Sequence, residues 1–346
     1  MKQFLPIKKL KRGDQVAILS PSFAAPGKWP YVYDLGLIRL KEVFGLKPVE
    51  FPTTKKLEAS KEERAKDLIA AFENKEIKGV ISSIGGDDQV TYIKNLPSEP
   101  FKNNPKLYFG YSDNTHFMNF LWLNGIPSFY GGALFTQFAE QGKIHDFTLE
   151  YLNLALFKKG QFELKASRDY NDIGLNWDDQ ESLNRQRFYE PNEGWIWNGT
   201  QSAEGITWGG CVESIDEILR HGGKMPSLEE FKSIILIMET SEEIPTSNYV
   251  YRVYRALGER GILEKVKGIL VGRPKAWEFD KQNSREQKEE YKNQQREIIL
   301  KTVRKYNSEA PIVQNFDFGH TDPQIPMPYG KSVRLNSKIK KIYAEF

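Results

Sequence analysis

Lys106-Leu-Tyr-Phe-Gly-Tyr-Ser-Asp-Asn114 is the stretch that decides the reading. Leu107 to Tyr111 is a short apolar and aromatic run of the kind that forms a buried strand. The run stops at Gly110-Tyr-Ser112-Asp113, after which Phe117 to Leu123 reads as an apolar helix. A serine placed where a strand breaks sharply into a helix sits on a tight turn with its hydroxyl clear of the backbone, the geometry of a nucleophile elbow. The match to G-x-S-x-G is partial: Gly110 is present two residues before Ser112, but Asn114 stands two residues after it. A plain structural turn fits the same residues.

Upstream, strands and helices alternate. Gln15 to Ser20 is an apolar strand running into Pro21-Ser22, and Lys47 to Phe51 can be a second. Ser60-Lys-Glu-Glu63 is a capping box opening a helix with Ala65, Leu68, Ile69 and Phe72 on one face. Gly79 to Ser83 is a third strand, ending in Gly85-Gly86-Asp87-Asp88. This alternation predicts a parallel sheet flanked by helices, with ligands at the carboxyl ends of the strands. Gly85-Gly86 lacks the spacing of a dinucleotide or Walker phosphate loop. It reads either as a tight turn or as a backbone N–H aimed at an oxyanion beside Ser112.

Residues from about Ala166 to Gly205 lose periodicity and read as a long connection carrying Trp177, Trp195 and Trp197. Its aromatics suit either packing between domains or a stacking wall for a ligand. Beyond it, Trp208-Gly-Gly-Cys leads into an apolar helix, and Ser233 to Met238 is a buried strand ending at Glu239. A helix from Tyr249, a strand from Val266 to Val271 and a charged helix opened by Ser284 and Gln287 follow. The expected division is residues 1–165 as an α/β domain, 166–205 as a connection and 206–346 as a second domain.

Composition narrows the classes. The chain is 39% hydrophobic and 27% charged, as in a soluble globular protein. Its 49 basic residues nearly balance 46 acidic ones, which argues against a nucleic-acid face. Cys211 stands alone, so no intrachain disulfide forms. One cysteine and four scattered histidines offer no metal-ligand spacing, and no metal or cofactor is expected. The basic start, Met1 to Arg12, has no apolar signal region, and no run is long enough to span a bilayer. A cytoplasmic protein with no membrane partner is expected.

If Ser112 is a nucleophile it needs a base, and the base needs an orienting acid. His116 lies one turn beyond Ser112 on the same helix, His145 is at a helix start, and His221 suits a helix C-terminus. His320 sits in a loop between Gly319 and Pro323, where function is commonly carried. The acid belongs at a strand end, and Glu239 closes the apolar strand of the second half. An exposed acidic turn fits Glu239, Glu242 and Glu243 equally, and a helix-start charge fits Glu213; spacing alone does not choose among them.

With these motifs assembled, the chain resembles the LD-carboxypeptidase family of serine peptidases, including its microcin C immunity branch. The resemblance rests on Lys11-Arg-Gly-Asp-Gln-Val-Ala-Ile-Leu-Ser-Pro-Ser22, Ile84-Gly-Gly-Asp87, Phe109-Gly-Tyr-Ser-Asp113, Trp208-Gly-Gly-Cys211, Ile237-Met-Glu-Thr-Ser-Glu-Glu243 and Phe318-Gly-His-Thr-Asp-Pro323. It implies an α/β fold: a flavodoxin- or amidotransferase-like parallel domain joined to a smaller β-rich C-terminal domain, with the site between them and homodimers common. The family's order of serine, glutamate and histidine maps onto Ser112, Glu239 and His320, with the N–H groups of Asp113 and Gly86 as oxyanion donors. The implied substrates are a muropeptide L,D-amide or a peptidyl- or aminoacyl-nucleotide, and the immunity branch resembles this chain more closely. There an aromatic of the connecting loop stacks on the base, a role expected for Trp195 and Trp197. Lys275 to Gln295 is longer than usual for the family, leaving the surroundings of His320 open. The rival expectation is a catalytically silent nucleotide- or peptide-binding protein on the same scaffold.

Overall fold

A computed structural model describes residues 2–174 and 176–346. Five parallel strands, β1 (Gln15–Leu19), β2 (Lys47–Glu50), β3 (Ile77–Ser82), β4 (Leu107–Gly110) and β5 (Ser128–Tyr130), lie in the order β2-β1-β3-β4-β5. Apart from edge strand β2, they are nearly continuous apolar runs, because helices cover both faces of a parallel sheet. The expected capping box opens helix Lys61–Glu73: Ser60 Oγ accepts the Glu63 N–H at 3.2 Å and the Glu63 carboxylate accepts the Ser60 N–H at 2.9 Å. The carboxyl ends of β1, β3 and β4 bring Ser20-Pro-Ser22, Gly85-Gly86 and Ser112 to one edge.

The second sheet runs through the rest of the chain. Its strands are β6 (Gln161–Leu164), β9 (Ile196–Asn198), β10 (Ala203–Cys211), β11 (Ile234–Glu239), β12 (Gly268–Gly272), β13 (Ile312–Phe316), β15 (Ser332–Asn336) and β16 (Lys341–Glu345). The connection also holds a two-stranded ladder of β7 (Asp169–Tyr170) and β8 (Glu190–Pro191). The central strands β10 to β13 are parallel, so their carboxyl ends share one side. Glu239 ends β11, and the loop holding His320 leaves β13.

The two sheets exchange strands. The strand β14 (Met327–Tyr329) leaves the second half to pair antiparallel with β5, and β6 pairs with β16. Helix Thr115–Leu123, which follows the elbow, packs against β10. Trp122 Nε1 donates to Thr207 O at 3.1 Å and Trp208 Nε1 to Asn119 Oδ1 at 3.0 Å. Gly210 permits this approach: its φ is +133° and an added Cβ would lie 2.5 Å from Thr115 Oγ1. The apolar core is continuous across both sheets. That continuity brings the strand ends of the two sheets against one another.

Candidate active site

Ser112 stands directly after β4 with φ +63°, a left-handed conformation costly for a residue with a Cβ. The preceding Tyr111 is fully extended, so the chain reverses sharply at the serine before entering its helix. Gly85 makes room for the turn: a Cβ there would lie 2.8 Å from Ser112 Cβ and 3.0 Å from its Oγ. The Phe23 N–H donates to Gly85 O at 3.2 Å and ties this loop to the end of β1. Among the described residues, the Asp113 and Gly86 N–H groups have no hydrogen-bond acceptor.

Glu239 is buried to 1% exposure, and each carboxylate oxygen has a partner. Oε2 faces His320 Nδ1 at 2.7 Å, which fixes the ring's orientation. Oε1 accepts the Tyr130 hydroxyl at 2.5 Å, and that hydroxyl in turn accepts the Ser112 N–H at 3.2 Å. Tyr130, at the end of β5, therefore connects the elbow of one sheet to the acid of the other. Burial, then the Glu239 charge, pushes its phenol well above the usual range, so it stays protonated and donates.

His320 lies edge-on to Tyr111, ring centroids 4.9 Å apart. Its second nitrogen, Nε2, is engaged by Glu242 Oε2 at 3.0 Å. Burial alone would push the imidazole down, but the charges of Glu239 and Glu242 override it and lift the pKa from 6.5 to about 10. Desolvation opposes ionisation of Glu242 in the same way, yet His320 holds it down at about 2. Two carboxylates thus flank the imidazole and favour its protonated form.

Ser112 and His320 line a common cleft of about 600 Å³. One wall is aromatic: Trp177 lies 5.1 Å from Trp29 and 5.4 Å from Phe135, and Trp29 lies 6.0 Å from Phe23. Trp29 Nε1 donates to Asp178 Oδ1 at 2.8 Å, joining the connection to the segment that follows β1. Glu242, Glu243, Lys275 and Phe279 also line the cleft.

The cleft is not lined by Trp195 or Trp197, contrary to the sequence expectation. Asp317 is the physical reason for Trp195. This carboxylate is fully buried and takes donors from Ser167, Arg273 and Trp195 Nε1, the last at 2.8 Å, while the indole stacks on Phe316 at 4.4 Å. Trp197 lies within β9, paired to Val313 of β13. Trp177, from the same loop, occupies the wall instead. Lys275 and Glu278, at the start of the long segment, line the cleft, and its Lys288 pairs with Asp172 at 2.7 Å.

Beneath the elbow, His116 Nε2 meets Glu217 Oε2 at 2.9 Å and Asp113 Oδ1 at 3.6 Å. Asp113 is held up by burial against the pull of His116. These three side chains converge within 4.8 Å, a cluster invisible to local spacing because Glu217 lies 101 residues from His116. The remaining histidines have the expected places, His145 as the N-cap of helix Asp146–Phe157 and His221 after helix Val212–Arg220. No helix among the described residues is long and apolar enough to cross a membrane.

A serine elbow and an imidazole in one cleft between two sheets, with a buried glutamate behind the imidazole, define a serine-hydrolase class of scaffold. Residues 16–131 match the LD-carboxypeptidase N-terminal domain and residues 204–335 match the LD-carboxypeptidase C-terminal domain, so the chain belongs to the LD-carboxypeptidase family. It is 32% identical over 285 residues to a protein named as a carboxypeptidase in Treponema pallidum (strain Nichols), covering 82% of this chain and 77% of that one. It is 26% identical over 284 residues to the microcin C7 self-immunity protein MccF of Escherichia coli, covering 81% and 77%. MccF solved in complex with aspartyl sulfamoyl adenosine shares the fold, with a TM-score of 0.85 at 24% identity over 99% and 98% of the chains. An MccF-like protein from Streptococcus pneumoniae in complex with AMP gives 0.82 at 26% identity over 96% and 98%.

Proposed function

We propose that this protein is a serine amidase that cleaves the amide joining an acyl residue to a nucleotide-like group, through an acyl-enzyme on Ser112. The observation that carries the reading is the contact between buried Glu239 and His320 Nδ1 in the cleft that also holds Ser112. In the proposed reaction the Nε2 of His320 takes the Ser112 proton as Oγ attacks the carbonyl carbon. Glu239 steadies the imidazolium, and the free N–H groups of Asp113 and Gly86 receive the oxyanion. The imidazolium then protonates the leaving nitrogen, and water activated by His320 releases the acyl group.

Supporting the nucleotide half is the wall of Phe23, Trp29 and Trp177, since aromatic faces accept any base by stacking. The relatives bound to aminoacyl-nucleotide analogues and AMP point the same way. A muropeptide has no base to place there. The test is release of sulfamoyl adenosine from an aminoacyl-sulfamoyl adenosine by wild type and by Ser112→Ala. Turnover by wild type alone supports the reading. Equal turnover, or tight binding of the nucleotide with no turnover by either protein, favours a binding function.

A further inference from the structure

The charged groups of the cleft are unevenly satisfied. Asp322 is paired with Arg187 at 2.6 Å and Glu278 with Lys275 at 2.5 Å. Asp172 is held by Lys288, and Asp178 accepts the Trp29 indole. Arg187 and Lys275, which line the cleft, are thereby occupied. Glu243 has no cation on it among the described residues, and Glu242 has only His320. Both carboxylates line the cleft within the short turn that follows Glu239, with Glu242 in contact with the imidazole. Nearby, Phe279 is 46% exposed and Ile173 37%, two apolar side chains at the rim of the same cleft.

Two carboxylates with no Lys or Arg paired to them among the described residues, beside apolar surface, suit a cation at the end of a methylene stem, because such a stem packs on apolar groups while its charged head remains polar. An anionic group in that place would meet like charge at close range. Glu242 touches the nitrogen that takes the Ser112 proton, so an acyl residue held at Ser112 lies beside the turn of Glu242 and Glu243. We propose that the acyl residue accepted here carries a cationic side chain, recognised by Glu242 and Glu243, and that its arrival draws Glu242 off His320 Nε2. This rests on the amidase reading for the identity of the acyl residue. The same atom of His320 cannot both remain on Glu242 and take the serine proton, so recognition of the correct side chain also frees the base. The substrate cation supplies the charge that Glu242 otherwise finds on the imidazolium, which can then release its proton to solvent and enter the reaction neutral.

The groups facing His320 are Glu239 at the end of β11, Glu242 beyond it and Tyr111 at the elbow, while Asp322 on its own loop and Lys275 line the same cleft and the charge of Lys275 is felt at Glu242. Of these, Glu242 is the one whose partner the substrate replaces. Removing its charge should therefore change the protonation of the free enzyme more than that of the complex.

The experiment uses full-length Ser112→Ala in calorimetry with lysyl- and aspartyl-sulfamoyl adenosine. The lysyl compound should bind at least tenfold tighter, and adding Glu242→Gln with Glu243→Gln should reduce that preference below twofold. Catalytically competent protein gives a second readout. With the lysyl substrate, the acidic limb of kcat, which reports the complex, should lie at lower pH than that of kcat/KM, which reports the free enzyme. In Glu242→Gln the two limbs should coincide. Equal or tighter binding of the aspartyl compound, an unchanged preference in the double variant, or binding of neither compound overturns the proposal. Preferential lysyl binding without turnover by wild type would sustain the selectivity and overturn the amidase reading.

Discussion

Tyr130→Phe removes one oxygen that holds both halves of the site. The hydroxyl is buried, donates to Glu239 at 2.5 Å and receives the Ser112 N–H at 3.2 Å. Losing a hydrogen bond to a charged group costs about 1.5–3 kcal/mol, and an N–H left buried without an acceptor costs about 1–3 kcal/mol. The two losses share one atom and are not additive, so about 3 kcal/mol is the expected net destabilisation. At ~2.1 cal/mol/K per residue, the unfolding entropy of a chain this long is ~0.7 kcal/mol/K, which places the fall in Tm near ~4 °C.

Activity should fall further than stability alone suggests. Ser112 is held at positive φ, a conformation costing about 1–3 kcal/mol, and the Tyr130 contact is one of the ties that maintain it. A nucleophile displaced by about 1 Å loses about a hundredfold in kcat. The control is Tyr329→Phe, whose hydroxyl exchanges hydrogen bonds only with the neutral backbone of Gly209, at 3.0 and 3.3 Å. It should cost about 1 kcal/mol and leave kcat within twofold. The assay pairs urea denaturation with steady-state release of sulfamoyl adenosine. A Tyr130→Phe protein as stable and as active as wild type would refute the reasoning. So would a Tyr329→Phe protein that loses as much kcat.

Further consequences can be checked in the same assays. Glu239→Gln cannot fix the imidazole tautomer and should lower kcat by about ten-thousandfold, by the logic of a Ser-His-acid triad. Gly85→Ala forces a Cβ to 2.8 Å from that of Ser112 and should abolish turnover while binding of free AMP, measured by calorimetry, stays within threefold of wild type. Trp177→Ala should raise the Kd for AMP by the loss of about 1–3 kcal/mol of stacking, whereas Trp195→Ala should leave AMP binding unchanged and cost about 3 kcal/mol of stability. The pKa of His320 is raised above its ordinary 6.5 to about 10, so its contribution to stability is full below pH 6.5 and lost as pH rises through 10. The stability of wild type, read from urea denaturation, should fall across that window, and His320→Gln should remove that part of the pH dependence; an equally steep decline in the variant would locate it elsewhere.

Much of the scaffold was readable because parallel strands are buried on both faces. Runs such as Val16-Ala-Ile-Leu19 and Ile234-Ile-Leu-Ile-Met238 stand out from amphipathic helices, and glycine or serine marks where each ends. Because ligands gather at those ends, local sequence already pointed to Ser112, Glu239 and the Gly85-Gly86 turn. The tertiary partners were beyond it. Trp177 and Trp195 belong to the same aperiodic connection, and only the buried carboxylate of Asp317 decides which indole turns inward. Tyr130 reads as one more aromatic in a short strand until Glu239 arrives from the other sheet. Glu242, in an acidic turn resembling any solvated loop, gains its meaning from His320, whose loop lies far along the chain. The antiparallel return of β14 to β5 likewise has no local signature.

Labelling with a fluorophosphonate at pH 9, followed by peptide mass spectrometry, asks most directly whether Ser112 is an activated nucleophile. The account predicts a single adduct on the peptide bearing Ser112, formed much more slowly in Glu239→Gln and absent from Ser112→Ala. An unlabelled Ser112, or an adduct on another residue that persists in Ser112→Ala, would contradict it.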